Sequence, residues 1–164
     1  MRPLPDAFFD RDAEQVAREL VGMVLRRRLG QLWLSARIIE TEAYYLREKG
    51  SHASLGYTHK RRAPFMDGGA IYMYYARGGD SLNISAAGPG NAVLIKSGYP
   101  WLDDWSGPEA LQRMQALNPD AAGRPRPIAG LCAGQTLLCK SLGLKVPDWD
   151  AKRFDPRSEE RRAG

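Results

Sequence analysis

The stretch that decides the fold is residues 37–44, which read Arg-Ile-Ile-Glu-Thr-Glu-Ala-Tyr. Together with the residues before it, this stretch alternates between apolar and polar side chains, as a half-buried β-strand does. One parity contains Leu32, Leu34, Ala36 and Ile38, followed by Glu40, Glu42 and Tyr44. If the strand keeps this alternation, two carboxylates and an aromatic ring follow the apolar residues on the same face. The plainer interpretation is a strand that leaves the core with solvated glutamates, so other parts of the chain must decide.

Composition and charge indicate an ordinary globular chain. Its 164 residues can bury a core, and we expect one domain over residues 1–164. The net charge of +5 weakly favours a polyanionic partner. The sequence contains neither an apolar run of about 20 residues nor a signal peptide, and its two cysteines favour a reducing compartment. We therefore expect a cytoplasmic protein, associated with the nucleoid if bacterial, that does not bind membranes.

Glycine and proline divide the chain into strands flanked by helices. We predict helices over residues 6–22, 108–117 and 134–142, a hairpin of Met23–Arg28 with Leu32–Glu42, and a meander of strands 70–76, 81–87 and 92–96. Residues 46–69 are predicted to be a long basic loop, and the tail from about residue 147 to be irregular. The predicted fold class is α+β, with a mostly antiparallel sheet.

The two cysteines and two histidines do not predict a metal site. Cys132 and Cys139 are separated by six residues, as are His52 and His59, and short ligand pairs have closer spacings. The glycine-rich turns match neither a phosphate-binding loop nor a dinucleotide fingerprint. We expect no metal and no cofactor.

The acid, the tyrosines and the basic loop are the remaining candidates for chemistry. Glu42, Tyr44, His52, Tyr72 and Tyr74 are consistent with an aromatic pocket that contains one carboxylate. Aromatic residues on strands usually belong to the core, so this pattern alone is weak. Basic residues interleaved with aromatic ones are suited to contacts with phosphates and to stacking on bases.

Several segments in order resemble the alkyladenine (3-methyladenine) DNA glycosylase family over roughly residues 8–145. They are residues 37–44, Ser-His-Ala at 51–53, Ala-Pro-Phe-Met at 63–66, Ile-Tyr-Met-Tyr-Tyr at 71–75, Leu-Asn-Ile-Ser at 82–85, Ala-Val-Leu-Ile-Lys at 92–96 and Leu-Cys-Lys-Ser-Leu-Gly at 138–143. The resemblance implies a single domain with a curved antiparallel sheet. It also implies a monomeric, monofunctional hydrolase of base excision repair, which flips alkylated purines such as 3-methyladenine out of double-stranded DNA and cuts their N-glycosidic bond.

The resemblance also implies site residues. Glu42 matches the general base that activates water, while Tyr44, His52 and Tyr74 match the side chains that hold the flipped base. Asn83 matches the pocket wall, and Lys96 stands where the family often has an arginine near the DNA. Contacts with DNA are expected from Arg61, Arg62, Arg77 and Lys96.

The chain departs from the family pattern at three places. Arg77 occupies the position of an aromatic wedge, a role that Tyr75 is also able to fill. The basic run at 59–62 replaces a Thr-Pro-Arg-Asn segment, and the family's C-terminal segment, which helps close its sheet, is expected to be missing.

Two other functions remain open from the sequence. One is a module of the same fold that binds damaged DNA without catalysis, and the other is an RNA-binding β-domain. Neither function explains why Glu42 accompanies Tyr44 and His52, because binding alone does not require a carboxylate beside a base pocket.

Overall fold

The computed structural model describes residues 2–47, 56–76 and 78–154. Its centre is a curled antiparallel sheet of five strands in the order β1-β2-β5-β4-β3. The strands are β1 Val24–Leu29, β2 Leu32–Tyr44, β3 Ile71–Ala76, β4 Gly79–Ser85 and β5 Ala92–Pro100. The predicted α+β class, the hairpin across residues 30–31 and the three-stranded meander are confirmed.

Six α-helices surround the sheet in the described part of the chain. They are α1 Asp6–Phe9, α2 Ala13–Leu20, α3 Pro108–Leu117, α4 Ile128–Leu131, α5 Gln135–Leu142 and α6 Val146–Trp149. Residues 6–22 form two helices instead of one, because the Asp12 side chain accepts a hydrogen bond from the Gln15 amide and starts α2 there. None of the described helices is long and apolar enough to cross a membrane.

Residues 147–154 are more ordered than the sequence predicts. Residues 146–149 form α6, and Trp149 and Phe154 pack against the core. The chain then runs along β3, where the Ala151 amide donates to the Ile71 carbonyl and the Ile71 amide donates to the Lys152 carbonyl. Burial of two large aromatic side chains stabilises this segment, which has no apolar periodicity to reveal it.

The core lies on one face of the sheet. A row of directly paired residues, Ala43, Val93, Ile84 and Ile71, crosses four strands and contributes to it. Helix α2 packs on β2 and β5, and α5 packs on β4 and β5. The helices cover this face. The neighbouring row of residues, one position away in each strand, points to the opposite face, because successive side chains in a strand point to opposite sides.

Two β-bulges interrupt the pairing of β2 with β5. Ile38 pairs with Gly98 and Glu40 with Ser97, so Ile39 is an extra residue in β2 and is 53% exposed. Thr41 pairs with Ile95, so Lys96 is an extra residue in β5. The expectation that Glu40, Glu42 and Tyr44 continue the face of Ile38 is therefore wrong, since the bulge at Ile39 moves them to the other face.

Candidate active site

The face opposite the core carries the candidate site. Glu42 pairs with Leu94, Leu94 with Asn83, and Asn83 with Tyr72, so these four residues form one row across β2, β5, β4 and β3. Directly paired residues point to the same side of a sheet. Leu94, Asn83 and Tyr72 are buried, whereas the Glu42 side chain keeps 37% of its surface exposed. The row therefore ends in a carboxylate that water can reach.

Glu42 is held by two neighbours. The Tyr44 hydroxyl, two residues along β2, donates a short hydrogen bond to Oε2 of Glu42. Lys96 Nζ lies 3.9 Å from Oε1 of Glu42. Leu94 and Lys96 are two residues apart on β5, so alternation directs both side chains to this face. The carboxylate is thus oriented by a phenol on one oxygen and an ammonium group near the other.

Two tyrosines stand at the other end of the row. The ring centroids of Tyr72 and Tyr74 are 5.3 Å apart and the rings are tilted by 42°. Burial raises the pKa of Tyr72, the neighbouring Tyr74 and Asp150 raise it further, and Arg61 lowers it. Tyr72 therefore remains a neutral phenol. Asn83 is fixed beside it, since its Nδ2 donates to the Tyr72 carbonyl at 3.2 Å.

A segment with two single-turn 3₁₀ helices, His59–Arg61 and Ala63–Phe65, covers part of this face. Ala63 and Pro64 are buried, and the Pro64 carbonyl accepts a 2.7 Å hydrogen bond from the Gly90 amide. Arg61 Nε donates to the Gly56 carbonyl and Arg62 Nη1 to the His59 carbonyl, both at 3.0 Å. The two arginines are thereby attached to a segment that packs on β3 and β4.

The predicted site residues fall into two groups. Glu42, Tyr44, Tyr74, Asn83 and Lys96 lie on the same face of the sheet. Arg61 and Arg62 belong to the segment that packs on β3 and β4 beside it. His52 and Arg77 lie outside the described residues.

Tyr72 is a residue of the predicted aromatic pocket to which the resemblance gives no role. It shares the parity of Tyr74, but only the pairing with Asn83 places it in the row of Glu42. Tyr75, the other candidate for a wedge, is 67% exposed near the end of β3.

The cysteines do not supply an alternative nucleophile. Cys132 and Cys139 are both buried in the core, and burial raises the pKa of each thiol to about 12. A thiol with that pKa stays protonated at neutral pH and is inert. Within residues 2–47, 56–76 and 78–154, no three His, Cys, Asp or Glu side chains form a group able to hold a metal ion.

Several known proteins are similar to this chain. A protein of Pseudomonas aeruginosa (strain LESB58) is 77% identical over 156 residues, which are 95% of this chain and 65% of that protein. A protein of Pseudomonas fluorescens (strain Pf0-1) is 76% identical over 152 residues, 93% of this chain and 66% of that protein. Both are named as candidate 3-methyladenine DNA glycosylases.

A more distant relative is the DNA-3-methyladenine glycosylase of Mus musculus, 35% identical over 155 residues, 92% of this chain and 44% of that protein. The chain thus spans about two thirds of the length of the bacterial relatives. The sequence pattern of methylpurine-DNA glycosylases matches residues 7–161. On this match and these identities, the chain belongs to the methylpurine-DNA glycosylase family.

Proposed function

We propose that the protein is a monofunctional DNA glycosylase that hydrolyses the N-glycosidic bond of alkylated purines such as 3-methyladenine. Its substrate is double-stranded DNA that contains the damaged base, and it acts as a single-domain, cytoplasmic monomer without a cofactor. The observation that carries the proposal is the position of Glu42. This carboxylate lies at a solvent-accessible end of a row that includes Asn83 and Tyr72, on the face that also presents Tyr44 and Tyr74.

Extrusion of the nucleotide precedes the chemistry. The target bond is inaccessible inside a duplex, so the nucleotide must leave the stack, at a cost of a few kcal/mol. A purine alkylated at N3 or N7 is cationic, and the faces of tyrosine rings attract a stacked cation by about 0.5–2 kcal/mol. Tyr44 and Tyr74 offer such faces, with His52 as the third side chain that holds the base. Asn83 forms the wall of the same pocket.

The hydrolytic step needs one carboxylate. Glu42 removes a proton from water, and the water oxygen forms a bond to C1′ of the deoxyribose. The bond between C1′ and the purine nitrogen breaks, its electron pair stays on the purine, and the positive charge of the leaving base is neutralised. The negative charge of Glu42 also stabilises the oxocarbenium character of the sugar. The products are a free base and an abasic site.

Release of 7-methylguanine from duplex DNA tests the proposal. The parent protein should liberate free base, and Glu42→Gln should slow single-turnover release by about 100-fold or more, because it removes the proton acceptor while preserving shape. Binding of the same duplex should persist in the variant.

Glu40→Gln is the matched control. Glu40 lies on the same strand, is exposed, and pairs with Ser97 near the bulge. It should release base at the parental rate. A parent protein that binds the duplex without releasing any base would support the non-catalytic alternative. Equal rates for Glu42→Gln and the parent would exclude Glu42 as the base.

A further inference from the structure

The two residues that follow β2 are each attached to a different part of the fold. Strand β2 ends at Tyr44, which pairs with Ala92 at the start of β5. Beyond it, the phenol of Tyr45 contacts the start of α2, and the amide of Leu46 contacts the turn between β4 and β5. The ends of strands fray unless further contacts hold them. The last residue of β2 is therefore held from beyond the strand.

Tyr45 makes its contact on the core side of the sheet. Successive side chains of a strand point to opposite sides, so Tyr45 packs against the core while Tyr44 faces the site. The Tyr45 hydroxyl donates to Oδ1 of Asp12 at 2.8 Å and accepts from the Glu14 amide at 3.1 Å. Burial and the bond to Asp12 raise the pKa of Tyr45, so the hydroxyl keeps its proton.

The contact with Tyr45 completes the N-terminus of α2. The first amides of a helix have no acceptors within the helix. Asp12 is the N-cap and accepts from the Gln15 amide, and the Tyr45 hydroxyl accepts from the Glu14 amide. Because α2 packs on β2 and β5, the bond fixes the end of β2 against an element of the core.

Asn91 holds the residue after Tyr45. Its Oδ1 accepts from the Leu46 amide at 2.9 Å, and its Nδ2 donates to the Ala87 carbonyl at 3.0 Å. The neighbouring Gly90 donates its amide to the Pro64 carbonyl. The turn between β4 and β5 thus joins the end of β2 to the segment with the two 3₁₀ helices.

The candidate site depends on the position of Tyr44. Its hydroxyl donates to Oε2 of Glu42, and its ring is proposed to stack on the flipped base. Both contacts require the end of β2 to stay paired with β5, because Tyr44 is the last residue of the strand. Displacement of an orienting group by about 1 Å can cost about 100-fold in rate.

We propose that Tyr45 and Asn91 are positioning residues for base release. They act through Tyr44, whose hydroxyl orients the Glu42 carboxylate, and not on the base itself. Tyr45 fixes the strand end from the core face, and Asn91 fixes the chain that follows, so each is required. The proposal rests on the function proposed above and adds to it two residues that the resemblance does not name.

Single-turnover release of 7-methylguanine, with the enzyme in saturating excess over the duplex, tests the proposal. Tyr45→Phe removes one hydroxyl, and Asn91→Ala removes both hydrogen bonds of the side chain. Each should lower the rate constant by about tenfold, because Tyr44 is no longer held on Glu42. The half-saturating enzyme concentration should change by less than about twofold. Tyr99→Phe, which alters an exposed tyrosine of β5, is the matched control and should release base at the parental rate.

A double-mutant cycle separates positioning from stability. Tyr44→Phe removes the hydroxyl that binds Glu42. Because Tyr45 acts through that hydroxyl, adding Tyr45→Phe to Tyr44→Phe should lower the rate by only about twofold. Asp103→Asn breaks the ion pair between β1 and the loop after β5. It should unfold more easily than the parent and still release base at the parental rate.

Hydrogen exchange reports on the end of β2 without catalysis. The backbone amides of residues 42–46 should exchange about tenfold faster in Tyr45→Phe and in Asn91→Ala than in the parent, because the strand end opens locally. The amides of Val24–Leu29 in β1 should exchange as in the parent. Circular dichroism checks that both variants are folded.

Three results would overturn the proposal. One is base release at the parental rate by both variants. Another is an equal loss of rate from Tyr45→Phe in the parent and in the Tyr44→Phe background, which would make the contact a purely structural one. The third is unchanged exchange of residues 42–46 in both variants, which counts against the proposal even for a parent that releases no base. A parent without base release would itself contradict the function proposed above.

Discussion

At the scale of single residues, the environment and not the residue type separates the two glutamates of β2. Glu40 is exposed and paired with Ser97, whereas Glu42 accepts from the Tyr44 hydroxyl and lies beside Lys96. The resemblance placed Lys96 near DNA, and the structure places its ammonium group next to Glu42. We therefore propose that Lys96 also orients this carboxylate.

Replacement of Lys96 separates these two roles. Lys96→Met keeps the length of the side chain but removes the charge that holds Glu42. Single-turnover base release should fall by about fivefold, the effect of a partly exposed ion pair, with a smaller change in duplex affinity. Lys96→Arg should restore most of the rate. A weakened duplex affinity with an unchanged rate of base release would instead assign Lys96 to the DNA.

At the scale of elements, β1 is attached to the loop after β5 by an ion pair. Arg26 Nη1 donates to Oδ1 of Asp103 at 3.1 Å, and a second short contact joins Nη2 to Oδ2. Asp103 also accepts from the amides of Trp105 and Ser106. The Arg26 guanidinium, with these two amides, lowers the pKa of Asp103 from 3.8 to about 2. The pair ties the edge strand to the segment that leads into α3.

Asp103→Asn should lower the free energy of unfolding by about 1–2 kcal/mol at neutral pH, because it removes a charge-assisted hydrogen bond from a mostly buried pair. A carboxyl group whose pKa is lowered by folding stabilises the protein above its unfolded pKa. That contribution disappears as the pH falls from about 4 to about 2. Urea unfolding across this range should show the parent and the variant converging.

The neighbouring Asp104 provides the control for this experiment. Asp104 is exposed, and Asp104→Asn should leave the free energy of unfolding unchanged within about 0.5 kcal/mol. A difference between Asp103→Asn and the parent that stays constant down to the lowest pH would contradict an ionic origin.

At the scale of the whole molecule, the basic side chains behind the net charge of +5 lie in separate groups. Arg61 and Arg62 belong to the segment over the site face, and Lys96 lies on that face beside Glu42. The three arginines of β1, residues 26–28, form a separate group. The positive charge is thus divided between the face proposed to bind DNA and the edge strand β1.

Salt dependence of DNA binding tests this division. The logarithm of the affinity of Glu42→Gln for duplex DNA should fall linearly with the logarithm of the salt concentration. Each phosphate contact should contribute about −0.9 to the slope. Adding Arg62→Gln should reduce the slope by about one unit. Adding Lys140→Gln, in an exposed position on α5 at the core side, should leave it unchanged. Equal slopes for all three proteins would exclude Arg62 as a phosphate contact.

The sequence by itself determined the local features of this protein. Alternation of apolar and polar residues predicted β2, and the turn at Gly30-Gln31 predicted its hairpin with β1. Gly143 predicted the end of α5, and its backbone there is left-handed, with φ of 64°. These features depend on neighbouring residues only, so a single chain reveals them. The resemblance likewise named Glu42, Tyr44, Tyr74 and Asn83 as site residues, and their roles stay a prediction.

The tertiary structure alone decided which faces these residues share. The bulge at Ile39 is a property of a strand pair, and it moves the side chains of Glu40, Glu42 and Tyr44 to the other face. It turns Glu42 away from Ile38, and the pairing of Glu42 with Leu94 brings Lys96 beside Glu42. The row from Glu42 to Tyr72 likewise requires β5 and β4 to lie between β2 and β3. The partner of a strand and the register of their pairing are set by packing between segments that are distant in the sequence. The alternation of residues within one strand does not reveal either of them.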